Sequence, residues 1–168
     1  MAKRGRLSEA LEHIKQAVTI RVGLHSKIHS SVAEALNDVG IVYEKMSEFS
    51  LALNFYQEAV EIMERTRGDK ITISSIQANM GCCFLHLGEV QKALTYFLNA
   101  YQMQKSLGDN HPSVAAITRN IGCAYLSRGD PKKALAYLDK ALAAEVIPQK
   151  KSDPALLSFV GERAWRLD

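Results

Sequence analysis

The sequence predicts an all-α protein, a solenoid built from antiparallel pairs of helices. Three observations support this prediction. Similar residues recur along the chain at a fixed period, apolar residues within each copy recur at helical spacing, and proline or glycine falls where helices would begin or end. The composition agrees with a folded chain, since 47% of the 168 residues are hydrophobic and 23% are charged.

Small residues mark the period of the repeat, which is 41 residues. One series is glycine and consists of Gly40, Gly81 and Gly122. Two series are alanine and consist of Ala52, Ala93 and Ala134, and of Ala59, Ala100 and Ala141. An aromatic series recurs in phase with them at Tyr43, Phe84 and Tyr125. Small side chains let two helix backbones approach closely while rings fill the wider gaps. We therefore expect three complete copies of one helix pair.

Eight helices are expected along the chain. They cover residues 8–24, 30–46, 49–66, 72–87, 90–107, 112–128, 131–145 and 154–167. The third copy has the clearest boundaries, because Pro112 suits the first turn of a helix and Gly129 suits its end. Residues 30–66, 72–107 and 112–145 thus form repeats 1, 2 and 3. Together with the flanking helices they are expected to form a single domain over residues 1–168.

The N-terminal helix is expected to be half of a repeat. Ala10 and Ala17 are spaced as Ala52 and Ala59 are, which identifies residues 8–24 as a second helix. Its partner first helix has no counterpart in this sequence. The repeat pattern is therefore expected to continue on the N-terminal side of the three complete copies.

The C-terminal segment is expected to be the opposite half. Val160-Gly161 echoes Ile121-Gly122 of a first helix, so residues 154–167 are either a capping helix or the first helix of a next repeat. Solenoids normally end in polar capping elements. The chain is therefore either part of a longer array or a short protein whose last helix is a cap.

The residues at these recurring positions resemble those of the tetratricopeptide-repeat family, whose helix–turn–helix unit has the same small-residue and aromatic signature. The resemblance covers residues 8–167, with a period of 41 against a family standard of about 34. The additional residues fall between repeats, at Arg67–Thr72 and Gly108–Pro112, which is similar to the longer repeats of kinesin light chains and nephrocystin-like proteins. The resemblance implies a right-handed superhelical solenoid. It also implies a scaffold or adaptor that binds a peptide or helical segment of a partner protein in its concave groove.

The first helix of each pair lines that groove in the family, so the resemblance indicates where a ligand would bind. The candidate residues do not face the core and recur at spacings of three and four along one side of the helix. They are Asn37, Asp38, Ile41 and Lys45 in repeat 1, Asn79, Cys82, Leu85 and His86 in repeat 2, and Arg119, Asn120, Cys123 and Leu126 in repeat 3. We refer to these residues as the first-helix stripe.

Two equivalent asparagines, Asn79 and Asn120, are the main candidates within the stripe, and Asp38 occupies the same position in repeat 1. An amide side chain carries donors and an acceptor, so it can pair with a peptide backbone of any sequence. Family members use asparagines in this way. The alternative is a surface asparagine that bonds a neighbouring helix or water. The apolar members, such as Ile41 and Leu126, either face an amphipathic ligand or belong to the core.

No motif in the sequence predicts catalysis. His25 and His29 have the spacing of metal ligands but no third ligand, so they are expected to be solvated. Cys82 and Cys83 lack the C-x-x-C spacing of a redox or zinc site. Phosphate-binding loops and the G-x-S-x-G and H-E-x-x-H motifs are missing from the sequence. We therefore expect neither enzyme activity nor a cofactor, a metal or a small-molecule substrate.

Two further classes of function stay open at this point: an RNA-binding helical repeat and a purely structural segment without a ligand. The net charge of +3, with acidic residues interspersed, argues against nucleic acid. No apolar run reaches the ~20 residues of a membrane span, and the basic N-terminus lacks the apolar segment of a secretory signal. Three cysteines without framework spacing favour a reducing, cytoplasmic location. The chain is expected to be a monomer or to self-associate weakly through its terminal helices.

Overall fold

The structure, a computed structural model, describes residues 2–109 and 111–152, with side chains described for 5–109 and 111–144. Seven α-helices and one 3-10 turn form these residues, and the described chain contains no β-strand. The helices are α1 (Ala2–Leu24), α2 (Ser30–Lys45), α3 (Phe49–Arg65), α4 (Lys70–His86), α5 (Val90–Gln104), α6 (Pro112–Ser127) and α7 (Pro131–Ser152). The all-α repeat prediction is confirmed.

The helices group into two compact units, Met1–Gln104 and Lys105–Asp168. In the first unit α2 pairs with α3 and α4 pairs with α5, while α1 packs on α2 and α3 packs on α4. In the second unit α6 pairs with α7. Each complete pair thus consists of a first and a second helix in the predicted order. That residues 1–168 form a single domain stays a prediction.

Three helix boundaries differ from those predicted by three residues or more. Helix α1 begins at Ala2 instead of residue 8, since the preceding residues are mostly strong helix formers. Helix α5 gives way to a 3-10 turn at Lys105–Leu107, a frequent ending for an α-helix. Helix α7 continues past residue 145 and through Pro148 to its end at residue 152, so that proline does not terminate it. The predicted helix 154–167 lies outside the described residues.

Side-chain caps fix where the first helices begin. The ring Nδ1 of His29 accepts a hydrogen bond from the backbone N–H of Ser31 at the start of α2. His111 accepts the same bond from Ser113 at the start of α6, and the carboxylate of Asp69 caps α4. Each acceptor satisfies one of the N–H groups that a helix start leaves unpaired. His29 is therefore a capping residue, which corrects the expectation that it is merely solvated.

The recurring glycines bring each first helix close to its second helix. A Cβ at Gly40 would lie 2.5 Å from Cε1 of Tyr56, and a Cβ at Gly81 would lie 2.6 Å from Cε1 of Phe97. Both rings are fully buried. Because no side-chain carbon can approach so closely, glycine is required for this packing.

Candidate ligand-binding stripe of the first helices

The exposed sides of successive first helices supply the candidate site. In the first unit, α2 touches α4 directly, so the stripe residues of repeats 1 and 2 lie on neighbouring helices. Helix α6, in the second unit, carries the stripe residues of repeat 3. All twelve residues of the first-helix stripe are described, and each of them is half-buried or exposed. Their role in binding stays a prediction.

The α2 part of the stripe carries one carboxylate, Asp38, and one cation, Lys45, and a second cation, Arg21 of α1, adjoins it. Arg21 donates a hydrogen bond from Nη1 to the carbonyl oxygen of Ser31, at 2.6 Å, and lies 3.8 Å from the carboxylate of Glu34. Partial burial raises the pKa of the neighbouring Asp38 carboxyl, an effect that Arg21 opposes and Glu34 reinforces. Arg21 therefore stabilises the charges of α2, and sequence reasoning about the first helices alone did not identify it.

One predicted stripe residue holds a buried acceptor without a partner. The Oδ1 atom of Asn37 is buried and accepts no hydrogen bond within the described part of the chain. The Oε1 atom of Gln77, on α4, is in the same situation. A buried acceptor of this kind costs about 1–3 kcal/mol when it stays unpaired. Rotation of the Asn37 amide toward solvent or a ligand would relieve that cost.

The apolar members of the stripe divide between core and surface. Ile41 is half-buried and packs against the hydrophobic core of the first unit. Leu85 on α4 is also half-buried. By contrast, 53% of Leu126 on α6 is exposed, and Cys123 is exposed beside it. The sequence left open whether the apolar members belong to the core or face a ligand. Ile41 belongs to the core, whereas Leu126 is exposed, as expected of a residue that faces a ligand.

The middle of α4 presents a neutral polar surface. Asn79 and Cys82 are both half-buried, one helical turn apart. At the end of the helix, the ring of His86 stacks on Phe49 of α3, with centroids 4.6 Å apart and planes 4° from parallel. His86 therefore has an aromatic partner within the first unit, and its stacked face is covered.

The α6 part of the stripe carries a cation, Arg119, at a position that is neutral in the other two repeats. Arg119 is exposed and Asn120 is half-buried. Arg119 takes the position that Asn37 has on α2, and Asn120 takes the position of Asp38. The side chains at equivalent positions thus change from an amide and a carboxylate in repeat 1 to a guanidinium and an amide in repeat 3.

A separate cleft of about 300 Å³ lies between the α1–α2 linker and α3. It is lined by Lys27, Ile28, Glu58, Glu61, Ile62 and Arg65. In repeat 3 the positions equivalent to Lys27 and Glu58 carry Asp109 and Lys140, which form an ion pair of 3.0 Å. The cleft was not predicted, although the reversed charges at equivalent positions are visible in the sequence.

No three His, Cys, Asp or Glu side chains of the described residues come together as a possible metal site. Of the helices in the same ranges, none is long and apolar enough to cross a membrane.

The repeat pattern and its packing define the class of this protein. The sequence matches the tetratricopeptide repeat family over residues 1–65 and 72–144, which is most of the chain. The chain belongs to this family.

Among individual proteins, the kinesin light chain group is represented in both sequence and structure. The chain is 30% identical, over 81 residues, to "Protein KINESIN LIGHT CHAIN-RELATED 3" of Arabidopsis thaliana, covering 48% of this chain and 12% of that protein. It therefore spans only a small part of this relative. The structure is similar to the nearly identical TPR-like repeats of a putative kinesin light chain from Podosopora anserina, with a TM-score of 0.73, 21% identity and coverage of 93% and 75%.

A third similar protein was solved with a peptide bound. It is the Rap conjugation gene regulator of plasmid pLS20 in complex with the Phr* peptide, with a TM-score of 0.71 and 17% identity. The alignment covers 83% of this chain and 38% of the regulator. At this identity the likeness shows the shared helical-repeat fold.

Proposed function

We propose that the chain is a protein-interaction scaffold whose first-helix stripe binds a peptide or helical segment of a partner protein. The observation that carries the proposal is the pair Asn79 and Asn120, two half-buried amides at equivalent positions of successive first helices. The backbone amides of an extended peptide are evenly spaced along it. Equivalent side chains of a repeat array also recur at a regular spacing. An amide side chain can both donate to and accept from each backbone unit.

Membership of the tetratricopeptide-repeat family supports this function, because such repeats generally mediate protein–protein interaction. The Rap regulator, which has a similar fold, was solved with a peptide. Catalysis is not the general function of tetratricopeptide repeats. The proposal therefore includes no enzyme activity, and it places the chain in the cytoplasm, where its cysteines would stay reduced.

Charge along the stripe supplies selectivity in this proposal. Arg119 is exposed on α6 and would favour ligands with acidic residues near it. Glu34 and Asp38 on α2 would favour ligands with a basic residue near them. The apolar surface of Leu126 would receive an apolar side chain of the ligand.

A peptide library displayed on phage and selected on the immobilised 168-residue chain tests the proposal. Selected peptides are titrated by calorimetry against the wild type, Asn79→Ala with Asn120→Ala, and the exposed second-helix control Gln57→Ala. We expect the double variant to bind about 30- to 1000-fold more weakly, from a loss of roughly 2–4 kcal/mol, and the control to bind normally.

Three results would contradict the proposal. Equal affinity of all three proteins would place the ligand outside the stripe. A selection without binders would favour the structural-segment alternative. Tighter binding to a single-stranded oligonucleotide that weakens steeply with salt would favour the RNA-binding alternative.

A further inference from the structure

Two of the three described first helices begin at a histidine whose ring caps the helix. Nδ1 of His29 accepts a hydrogen bond of 3.2 Å from the backbone N–H of Ser31 and lies 2.8 Å from Oγ of the same serine. The corresponding distances from His111 to Ser113 are 3.3 Å and 2.8 Å. The two histidines occupy equivalent positions, two periods of 41 residues apart. The same cap is therefore built twice, by the same pair of residue types.

This geometry requires a neutral imidazole. A ring nitrogen that accepts a hydrogen bond from a backbone N–H carries no proton, so the proton of each ring is on Nε2. In the imidazolium ion both ring nitrogens are donors, and the cap is lost. The positive charge would then also lie at the positive end of the helix dipole, which disfavours it further. The two caps exist in only one protonation state of the histidine.

Helix α4, the first helix of repeat 2, is capped by a different group. Oδ2 of Asp69 accepts hydrogen bonds from the backbone N–H of Thr72, at 2.9 Å, and from the hydroxyl of the same residue, at 3.0 Å. The backbone hydrogen bond from Thr72 holds the pKa of Asp69 below its usual range. The Asp69 cap therefore persists through the pH range in which histidines change charge. Helix α4 is an internal reference for the two helices that histidines cap.

Groups of both signs surround the His29 cap. The ring of His25 stacks on that of His29, with centroids 4.2 Å apart and planes 13° from parallel, and two imidazolium ions at this distance would repel each other. From α1, Arg21 donates to the carbonyl oxygen of Ser31 and lies 3.8 Å from the carboxylate of Glu34 on α2. Two cations and two carboxylates line the cleft between the linker and α3: Lys27, Arg65, Glu58 and Glu61. Because these charges largely balance, the cap hydrogen bond is the main contact that distinguishes the two states of His29.

The charges beside His111 are paired with each other. Asp109, two residues before it in the linker, forms an ion pair of 3.0 Å with Lys140 of α7. The pair has no net charge, and His111 itself is exposed, so solvent reaches its ring. The cap hydrogen bond again distinguishes the neutral ring from the protonated one.

We propose that His29 and His111 make the starts of α2 and α6 sensitive to pH. As the pH falls from about 7.5 to about 5.5, histidine takes up a proton, so both helices lose their caps while α4 keeps its own. The stability that the caps contribute is complete above this range and is lost on acidification. The first turn of α2 also accepts the hydrogen bond from Arg21, so the loss of its cap loosens the contact between α1 and α2. This response requires no ligand and is independent of the proposed peptide binding.

Urea unfolding of the 168-residue chain at about pH 7.5 and about pH 5.5 tests the proposal. The decisive variant is His29→Asn with His111→Asn, because asparagine is among the best capping residues and does not titrate. Acidification should raise the unfolding equilibrium constant of the wild type about 5-fold or more beyond any rise in this variant, which is the contribution of a typical cap. His13→Asn, at an exposed position of α1, removes a histidine that is not a cap and should keep the full wild-type response.

Hydrogen–deuterium exchange followed by mass spectrometry locates the effect along the chain. After correction for the intrinsic exchange rate, peptides that contain the first turns of α2 and α6 should lose protection about 5-fold on acidification, and the first turn of α4 should keep its protection. In the double asparagine variant all three should stay protected. Equal loss of stability in the wild type and the double variant would overturn the proposal. So would a start of α4 that loosens as much as those of α2 and α6.

Discussion

Gly81 and the ring of Phe97 are in such close contact that a Cβ on the glycine would lie 2.6 Å from Cε1 of the ring. Phe97 is fully buried in α5, and the ring cannot move without displacing its neighbours. The same contact joins Gly40 to Tyr56 in the preceding pair. The glycine series thus sets the distance between the two helices of a pair, and these glycines serve close packing.

Replacing Gly81 by alanine should destabilise the protein by about 1 kcal/mol. Overpacking a core costs about 1–3 kcal/mol, and the better helix propensity of alanine offsets about 1 kcal/mol of that or less. Gly23→Ala is the matched control, since a Cβ at Gly23 meets nothing within 4 Å. It should stabilise the protein by about 0.5–1 kcal/mol. Urea unfolding measures both changes. If both variants were stabilised by the same amount, helix propensity alone would govern these sites and the close-packing argument would be wrong.

The repeat architecture could be predicted because the period leaves a direct record in the sequence. Small and aromatic residues recur in phase, and the structure pairs them as expected. Boundaries at the ends were less predictable. A proline such as Pro148 predicts the end of a helix, yet α7 continues through it to its end at residue 152. A proline removes one hydrogen bond and can bend a helix without ending it.

The stripe residues could be located by register, but their surroundings could not be predicted. Register alone placed Ile41 on the stripe, while packing turns part of its surface into the core. The stacking of His86 on Phe49 and the approach of Arg21 to Glu34 join different helices. Such contacts depend on side-chain conformations in three dimensions, which the one-dimensional pattern of residues does not encode.

Exchanging serine and glycine between two equivalent turns should show the energetic cost of a left-handed backbone at these positions. Ser47, after α2, has a φ of 64°, and Gly88, at the equivalent position after α4, has a φ of 79°. Left-handed backbone costs a residue with a side chain about 1–2 kcal/mol, and glycine avoids this cost. Ser47→Gly should therefore stabilise the protein by about 0.5–1 kcal/mol, and Gly88→Ser should destabilise it by about 1 kcal/mol. Thermal unfolding tests both, and a destabilising Ser47→Gly would show that the serine side chain has a stabilising role.

The three cysteines should differ strongly in reactivity. Cys123 is exposed, Cys82 is half-buried, and Cys83 is fully buried. Burial raises the pKa of the Cys83 thiol to about 12, and the Glu44 carboxylate contributes to the increase. Since the thiolate is the reactive form, Cys83 should react with a disulfide reagent at pH 8 only after unfolding. Cys123 should react first. Denatured protein kept without reductant should yield all three thiols, and a lower count would reveal a disulfide.

Removing the Tyr56 hydroxyl should weaken the first unit at neutral pH. This hydroxyl donates a hydrogen bond of 2.8 Å to the carboxylate of Glu44, which is half-buried. In Tyr56→Phe the carboxylate loses its donor, and the free energy of unfolding should fall by about 1–2 kcal/mol. Tyr96→Phe is the control, because no hydrogen bond to the Tyr96 hydroxyl occurs within the described residues. Its free energy of unfolding should change by less.

The difference between the wild type and Tyr56→Phe should itself depend on pH. Burial raises the pKa of Tyr56 strongly, and the hydrogen bond and negative charge of Glu44 raise it further. The folded state therefore keeps the tyrosine protonated, while the unfolded chain releases the proton near its usual pKa of about 10. The stability contributed by Tyr56 is complete below pH 10 and is lost as pH rises above it, by up to about 1.4 kcal/mol per pH unit. The variant lacks this loss. Urea unfolding between pH 8 and pH 11 should show the two proteins converging, and a constant or widening gap would mean that Tyr56 ionises as readily when folded as when unfolded.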